Sequence, residues 1–153
     1  MRRRPVRAAV AILSVSVAAS VLSACSDTPT FVARYNGGNP EVRADLCEGG
    51  KFSWHMMRFY RNRDNSPADL MWELQANGSS NVSKVNYGMI PPGFAESFPA
   101  RPWNASQTLV FSLYNEGGVE LSVNLFKPVD LASGYFVTEA GKHVSESTLN
   151  SCR

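Results

Sequence analysis

The chain has 153 residues, 18% of them charged, with 15 lysines and arginines set against 13 aspartates and glutamates. That length suits one domain with a short extension. Four of the arginines precede Ala8, so the remainder carries no basic excess of the kind that binds nucleic acid.

Met1-Arg2-Arg3-Arg4-Pro5-Val6-Arg7 is a charged head, and Ala8 to Leu22 is an apolar run rich in Ala and Ser. The run is too short and too weakly apolar for a membrane span, which takes about 20 strongly apolar residues. Head and run together form a secretory signal. Leu22-Ser23-Ala24 leads directly into Cys25, and this stretch resembles the lipobox of bacterial lipoprotein precursors. The resemblance covers only the leader. It implies that a diacylglyceryl group joins the Cys25 thiol, that residues 1–24 are removed, and that lipidated Cys25 becomes the N-terminus. A plain secretory signal and an uncleaved anchor are the alternatives. The implied location is extracytoplasmic and lipid-anchored to the cell membrane. Ser26 resembles the outer-membrane sorting pattern of cells with two membranes, and with one membrane the outer leaflet is the destination. A single acyl chain binds only marginally, so stable anchoring takes two or more. The arginines fit a twin-arginine signal poorly, because Pro5-Val6-Arg7 follows them. Without the leader, acidic residues outnumber basic ones.

Two further cysteines, Cys47 and Cys152, are expected to pair in an oxidising compartment. Closing so long a loop is worth about 4.7 kcal/mol in the chain-entropy model. Free thiols are the alternative, and two lone cysteines without CxxC spacing make poor zinc ligands.

Residues 25–40 read as the lipidated N-terminus and a tether, broken by Pro29 and Gly37-Gly38-Asn39-Pro40, with at most a short strand near Phe31 to Tyr35. The domain is assigned to 41–153. Val42, Ala44 and Leu46 alternate with charged neighbours as a half-buried strand does, and Glu48-Gly49-Gly50 ends it. Lys51 to Arg61 is a central strand, with Phe52, Trp54, Met56 and Phe59 or Tyr60. Asn62 to Pro67 is a turn. Leu70, Trp72 and Leu74 define the next strand, up to Asn77-Gly78. Val82 to Ile90 runs as a strand into Pro91-Pro92-Gly93, which forces a crossing between sheets or along an edge. Phe94 to Trp103 is expected to be irregular. Gln107 to Tyr114 and Val119 to Phe126 flank Asn115-Glu116-Gly117-Gly118 as a hairpin. Leu109, Phe111 and Leu113 would then face Val119, Leu121, Val123 and Leu125 in the core. Gly134 to Thr138 is a last strand and Ala140-Gly141-Lys142 a turn. Short strands punctuated by turns, without a period of 3.6, predict an all-β antiparallel sandwich of immunoglobulin-like or fibronectin-type topology. Over Leu70 to Phe126 the order of tryptophan strands followed by Tyr87-Gly88-Met89-Ile90-Pro91-Pro92-Gly93-Phe94 loosely resembles a group of small bacterial lipoproteins, a resemblance that implies no activity.

Catalytic signatures are absent: neither Gly-x-Ser-x-Gly nor His-Glu-x-x-His occurs, and His55 and His143 are the only histidines. Gly134 to Lys142 has the wrong spacing for a phosphate loop, and His143 stands where Ser or Thr would bind Mg²⁺. His55-Met56-Met57 with Met71, Met89 and His143 has copper-ligand chemistry, but adjacent strand residues point to opposite faces and core filling is the better reading. Asp64 and Asp69 lack a calcium-loop pattern. Arg58, Arg61 and Arg63 read as a charged strand edge that discourages edge pairing. The Asn-x-Ser triplets at Asn77, Asn81 and Asn104 mark exposed turns. No catalytic residue, metal ligand or cofactor is expected.

The expected function is therefore a non-enzymatic envelope lipoprotein that binds another protein or an envelope polymer. A small-molecule or metal-binding module is the alternative. The prolines and aromatics of Met89 to Trp103 form either a cap on the core or a partner-binding lip made by Phe94, Phe98 and Trp103.

Overall fold

A computed structural model describes residues 30–45, 53–62, 64–80 and 82–149. The leader, Cys25, Cys47 and Cys152 all lie outside these residues. Within the described residues ten strands form two antiparallel five-stranded sheets packed face to face, an all-β sandwich.

The first sheet has the order β10-β9-β1-β2-β5, built from β1 (Thr30–Asn36), β2 (Asn39–Asp45), β5 (Lys84–Asn86), β9 (Phe136–Thr138) and β10 (His143–Val144). The second has the order β6-β4-β3-β7-β8, from β3 (Trp54–Tyr60), β4 (Leu70–Ser80), β6 (Phe94–Phe98), β7 (Leu109–Tyr114) and β8 (Glu120–Phe126). The groupings β1-β2-β5 and β3-β7-β8 correspond to the A-B-E and C-F-G groupings of an immunoglobulin-type sandwich. β4 and β6 extend the second sheet beyond β3, and β9 and β10 extend the first beyond β1. Two short helices, α1 (Pro128–Leu131) and α2 (Glu146–Leu149), flank the last strands.

Period-two alternation explains the inner face of β4: Trp72, Leu74 and Ala76 are buried, while Gln75 between them is exposed. They meet Phe59 and Met57 of β3, and Phe111 and Leu113 of β7 continue the same layer. Across the sandwich Phe31 meets Phe111 edge-on at 5.0 Å, and the Phe59 ring lies 5.4 Å from Trp72 and 5.5 Å from Tyr87. Met57 is core, whereas Met56 faces the other way, as adjacent strand residues must.

Four expectations need correction. Thr30–Asn36 belongs to the folded sheet and not to a tether, because β1 and β2 form a hairpin through Gly37 and Gly38, both at positive φ. Two consecutive left-handed residues make the two-residue turn whose twist suits a hairpin, so the supposed breakers of a tether are a strand connection. Phe94 to Trp103 is not wholly irregular, since Phe94–Phe98 pairs with β4 as an edge strand. Val82 to Ile90 contributes only Lys84–Asn86 to strand, and Asn86 to Met89 closes as a turn. The hairpin of β7 and β8 exists and Leu121 packs against the core as expected, but from Ser122 to Phe126 the inner face is shifted by one residue. Leu109 faces Phe126, Phe111 faces Asn124 and Leu113 faces Ser122, leaving Val123 at 41% and Val119 at 61% exposure. A bulge between Leu113 and Tyr114 absorbs one residue, and a one-residue slip moves every side chain to the opposite face.

Candidate binding surface

The outward face of the first sheet carries charge where β1, β2 and β5 lie side by side. Register sets Arg34 opposite Glu41, Glu41 opposite Asn86 and Arg43 opposite Lys84. Glu41 is completely buried there. One of its oxygens receives Arg34 Nε at 3.0 Å and Nη2 at 2.9 Å, with Asn36 Nδ2 at 3.4 Å, and the other lies 3.1 Å from Lys84 Nζ. A buried carboxylate is tolerable only when its charge is met in this way; Oε1 has the Lys84 ion pair but no hydrogen bond among the described residues. Arg34 also lies 4.2 Å over the Phe136 ring, and Glu146 of α2 approaches Arg43 at 3.4 Å and Arg34 at 3.9 Å.

Beside this cluster is a small open depression of about 180 Å³, lined by Asn36, Asn39, Lys84, Asn86, Tyr87 and Met89. Three amides and one ammonium supply donors and acceptors, and the next segment supplies apolar surface. Met89 and Ile90 are 65% and 51% exposed. Their loop is tied by Met89 N–H to Asn86 O at 3.0 Å, Phe94 N–H to Pro91 O at 3.2 Å and Asn77 N–H to Gly93 O at 2.9 Å. Gly88 and Gly93 take the positive φ needed at its two ends. Tyr87 anchors it from below: its hydroxyl lies 2.9 Å from Met71 O and 2.8 Å from Arg101 O, donating to one at a time.

Phe94, Phe98 and Trp103 do not share an exposed surface. Phe94 is buried with its ring 4.5 Å from Trp54. Phe98 is half-buried under Arg101 at 4.8 Å. Trp103 is half-buried, donates from Nε1 to the Tyr35 hydroxyl at 3.1 Å and packs 5.0 Å from the Tyr87 ring. Within the stretch Met89 to Trp103, the large apolar side chains that face solvent are Met89 and Ile90. Flanking prolines and glycines signalled a loop there but not which of its apolar residues would stay outside.

The other polar cluster lies on the outward face of the second sheet. Arg58 pairs with Glu73, which also accepts from Ser97, and its guanidinium lies 5.0 Å from the Tyr114 ring. Burial acts to lower the Arg58 pKa, but the hydrogen bond and charge of Glu73 outweigh it and hold the group more basic than usual. Arg61 is paired with Asp69 at 2.9 Å, and Asp64 is exposed. Neither histidine hydrogen-bonds a serine or carboxylate among the described residues: His55 meets Gly78 O and Gln75, and the His143 ring stacks 5.6 Å from Tyr135. The described residues include no group of three His, Cys, Asp or Glu placed to hold a metal, and no helix long and apolar enough to cross a membrane.

Three tyrosines make the sandwich sensitive to alkali. Burial pushes Tyr60 up to about 12 and also raises Tyr87 and Tyr35, in Tyr35 against the hydrogen bond that Trp103 donates. An unfolded tyrosine ionises near pH 10. Between that pH and the higher folded value only the unfolded chain has released its protons, so stability is full below about pH 10 and falls as pH rises toward about 12. Urea midpoints should be lower at about pH 11.5 than at about pH 9, and equal midpoints would refute this coupling.

No family model matches this chain, and no curated protein or solved structure is significantly similar to it.

Proposed function

We propose that this protein is a lipid-anchored, extracytoplasmic binding module that engages a protein or polymer of the cell envelope through Met89, Ile90 and the adjacent amide-lined depression. The leader ending at Cys25 supports the anchor. The observation that carries the binding role is the exposure of Met89 and Ile90 on a loop held by its own backbone hydrogen bonds. A preorganised apolar pair loses little freedom on association. Asn36, Asn39 and Asn86 beside it offer neutral hydrogen bonding, which suits an extended peptide or a polysaccharide better than a charged polymer. The outer-sheet cations are drawn to Glu41 and Glu146, which leaves the amides as the main recognition groups.

In this reading Cys47 and Cys152 form a disulfide. Asp45 ends β2 two residues before Cys47, and Leu149, three residues before Cys152, packs with Val32 and Phe136 on the same sheet. Both flanks approach the Thr30 end of that sheet, because Thr30 pairs with Asp45.

The test is a crosslinking pull-down of the full-length protein from intact cells. Met89→Asp with Ile90→Asp should reduce recovery of the enriched partner by about tenfold or more, since interface anchors commonly exceed 1.4 kcal/mol. Cys25→Ala should move the protein out of the membrane fraction without altering its folded spectrum. Undiminished partner recovery refutes the surface, and undiminished membrane retention refutes the anchor.

A further inference from the structure

We propose that Met89 is a site of reversible oxidation by hydroperoxides, and that its sulfoxide switches off the surface assigned above to partner binding. The chain has five methionines, of which Met1 belongs to the leader. Met57 and Met71 are buried and Met56 is half-buried on the outward face of β3, so Met89 is the thioether that solvent reaches freely. Oxidation of a thioether follows its exposure, because the oxidant must touch the sulfur.

The fold keeps that sulfur outside. Met89 N–H is held by Asn86 O at 3.0 Å, and Gly88 before it takes a φ of 80°. The space below is filled by Tyr87, whose ring packs 5.2 Å from Trp72 and 5.0 Å from Trp103. Met89 therefore has no core to withdraw into. Ile90, its exposed apolar neighbour, carries no atom that a hydroperoxide oxidises.

In the reaction a sulfur lone pair attacks the terminal oxygen of the hydroperoxide ROOH, and the O–O bond breaks. That oxygen stays on sulfur as the sulfoxide, while its proton moves to the departing oxygen, which leaves as ROH. Sulfur gives up two electrons and the peroxide takes them. A methionine sulfoxide reductase reverses the change, drawing two electrons from a dithiol that becomes a disulfide and releasing the oxygen as water.

The sulfoxide alters what this surface can hold. A thioether beside Ile90 is an apolar anchor, whereas the S=O group is a strong acceptor that must be desolvated before an apolar contact forms. Donors for it stand close by, since Lys84, Asn36, Asn39 and Asn86 line the same depression as Met89. Oxidation thus removes half of the apolar pair and engages amides that the partner would use. The oxidation depends only on exposure, while its effect on recognition rests on the binding role proposed for this surface.

Purified full-length protein treated with hydrogen peroxide and digested should show oxygen added at Met89 about tenfold faster than at Met57 or Met71, and in urea the rates should converge. Equal rates in the folded protein, or a faster rate at Met56 than at Met89, overturn the site. In intact cells a hydrogen peroxide pulse before crosslinking should lower recovery of the enriched partner about tenfold in wild type, the loss expected from one interface anchor. Met89→Leu should show no change relative to its own untreated sample. Met89→Gln, close in shape and polarity to the sulfoxide, should reproduce the loss without peroxide. Wild-type recovery from Met89→Gln, or an equal peroxide loss in Met89→Leu, overturns the switch. If Met89→Gln and the Met89→Asp, Ile90→Asp double variant both keep wild-type recovery, the binding surface fails with it; if the double variant alone loses recovery, only the switch fails.

Discussion

Arg34→Ala is expected to destabilise the domain by about 3 kcal/mol, whereas Lys84→Ala at the same carboxylate should cost under about 1 kcal/mol. Both cations touch Glu41, at 2.9 and 3.1 Å, but they differ in surroundings. The Arg34 side chain is 22% exposed, binds one Glu41 oxygen through two nitrogens and covers the Phe136 ring, while that of Lys84 is 45% exposed. Removing Arg34 leaves a wholly buried carboxylate with one solvent-screened cation and a long bond from Asn36, and uncovers the small apolar cluster of Val32, Phe136 and Leu149. Replacing the pair together, by Arg34→Met and Glu41→Leu, should recover most of the loss, because apolar residues of similar volume carry no desolvation cost. Urea unfolding of the three variants decides the point. Equal losses for Arg34→Ala and Lys84→Ala would show that Glu41 is better solvated than its burial implies.

The second large effect is at Trp72. Trp72→Ala should cost about 3–5 kcal/mol through lost burial and the cavity left behind. The indole is fully buried, 5.4 Å from Phe59 and 5.2 Å from Tyr87. Its Nε1 donates to Glu96 Oε1 at 2.6 Å, and the same oxygen accepts the Ala100 N–H at 3.1 Å. That carboxylate therefore ties β4 to β6 and to the chain that follows. Trp72→Phe keeps most of the apolar contact while removing the donor, so its loss should be nearer 1–2 kcal/mol. Thermal unfolding should rank wild type above Trp72→Phe above Trp72→Ala. If Trp72→Phe matches Trp72→Ala, the tie to Glu96 outweighs the packing.

The central strands were legible because each is bounded by a turn with its own chemistry and buries one face. β4 shows this in Trp72, Leu74 and Ala76, and the β7–β8 hairpin shows it in the glycines at 117 and 118. β1 was obscured for a physical reason: Phe31 and Ala33 face the main core while Val32 is buried beneath Phe136 and Leu149. Burial on both faces erases the alternation that identifies a strand. The inner face of β8 depended on a bulge opposite Tyr114, which hydrophobic pattern alone does not reveal. The candidate surface was still less visible. Glu41 meets Arg34 and Lys84 only through strand pairing, and Met89 differs from Phe94 chiefly in having no Trp54 across from it.

The position of β1 has a mechanical consequence. It is the first described strand, yet it lies in the interior of its sheet, between β2 and β9, with backbone pairing along both sides. If the chain is held at Cys25 and drag acts on the folded body, tension enters at Thr30 and runs along the length of β1. Its hydrogen bonds lie across that direction, so they are loaded in shear and must yield together. The same force applied across the strand would instead open one bond at a time.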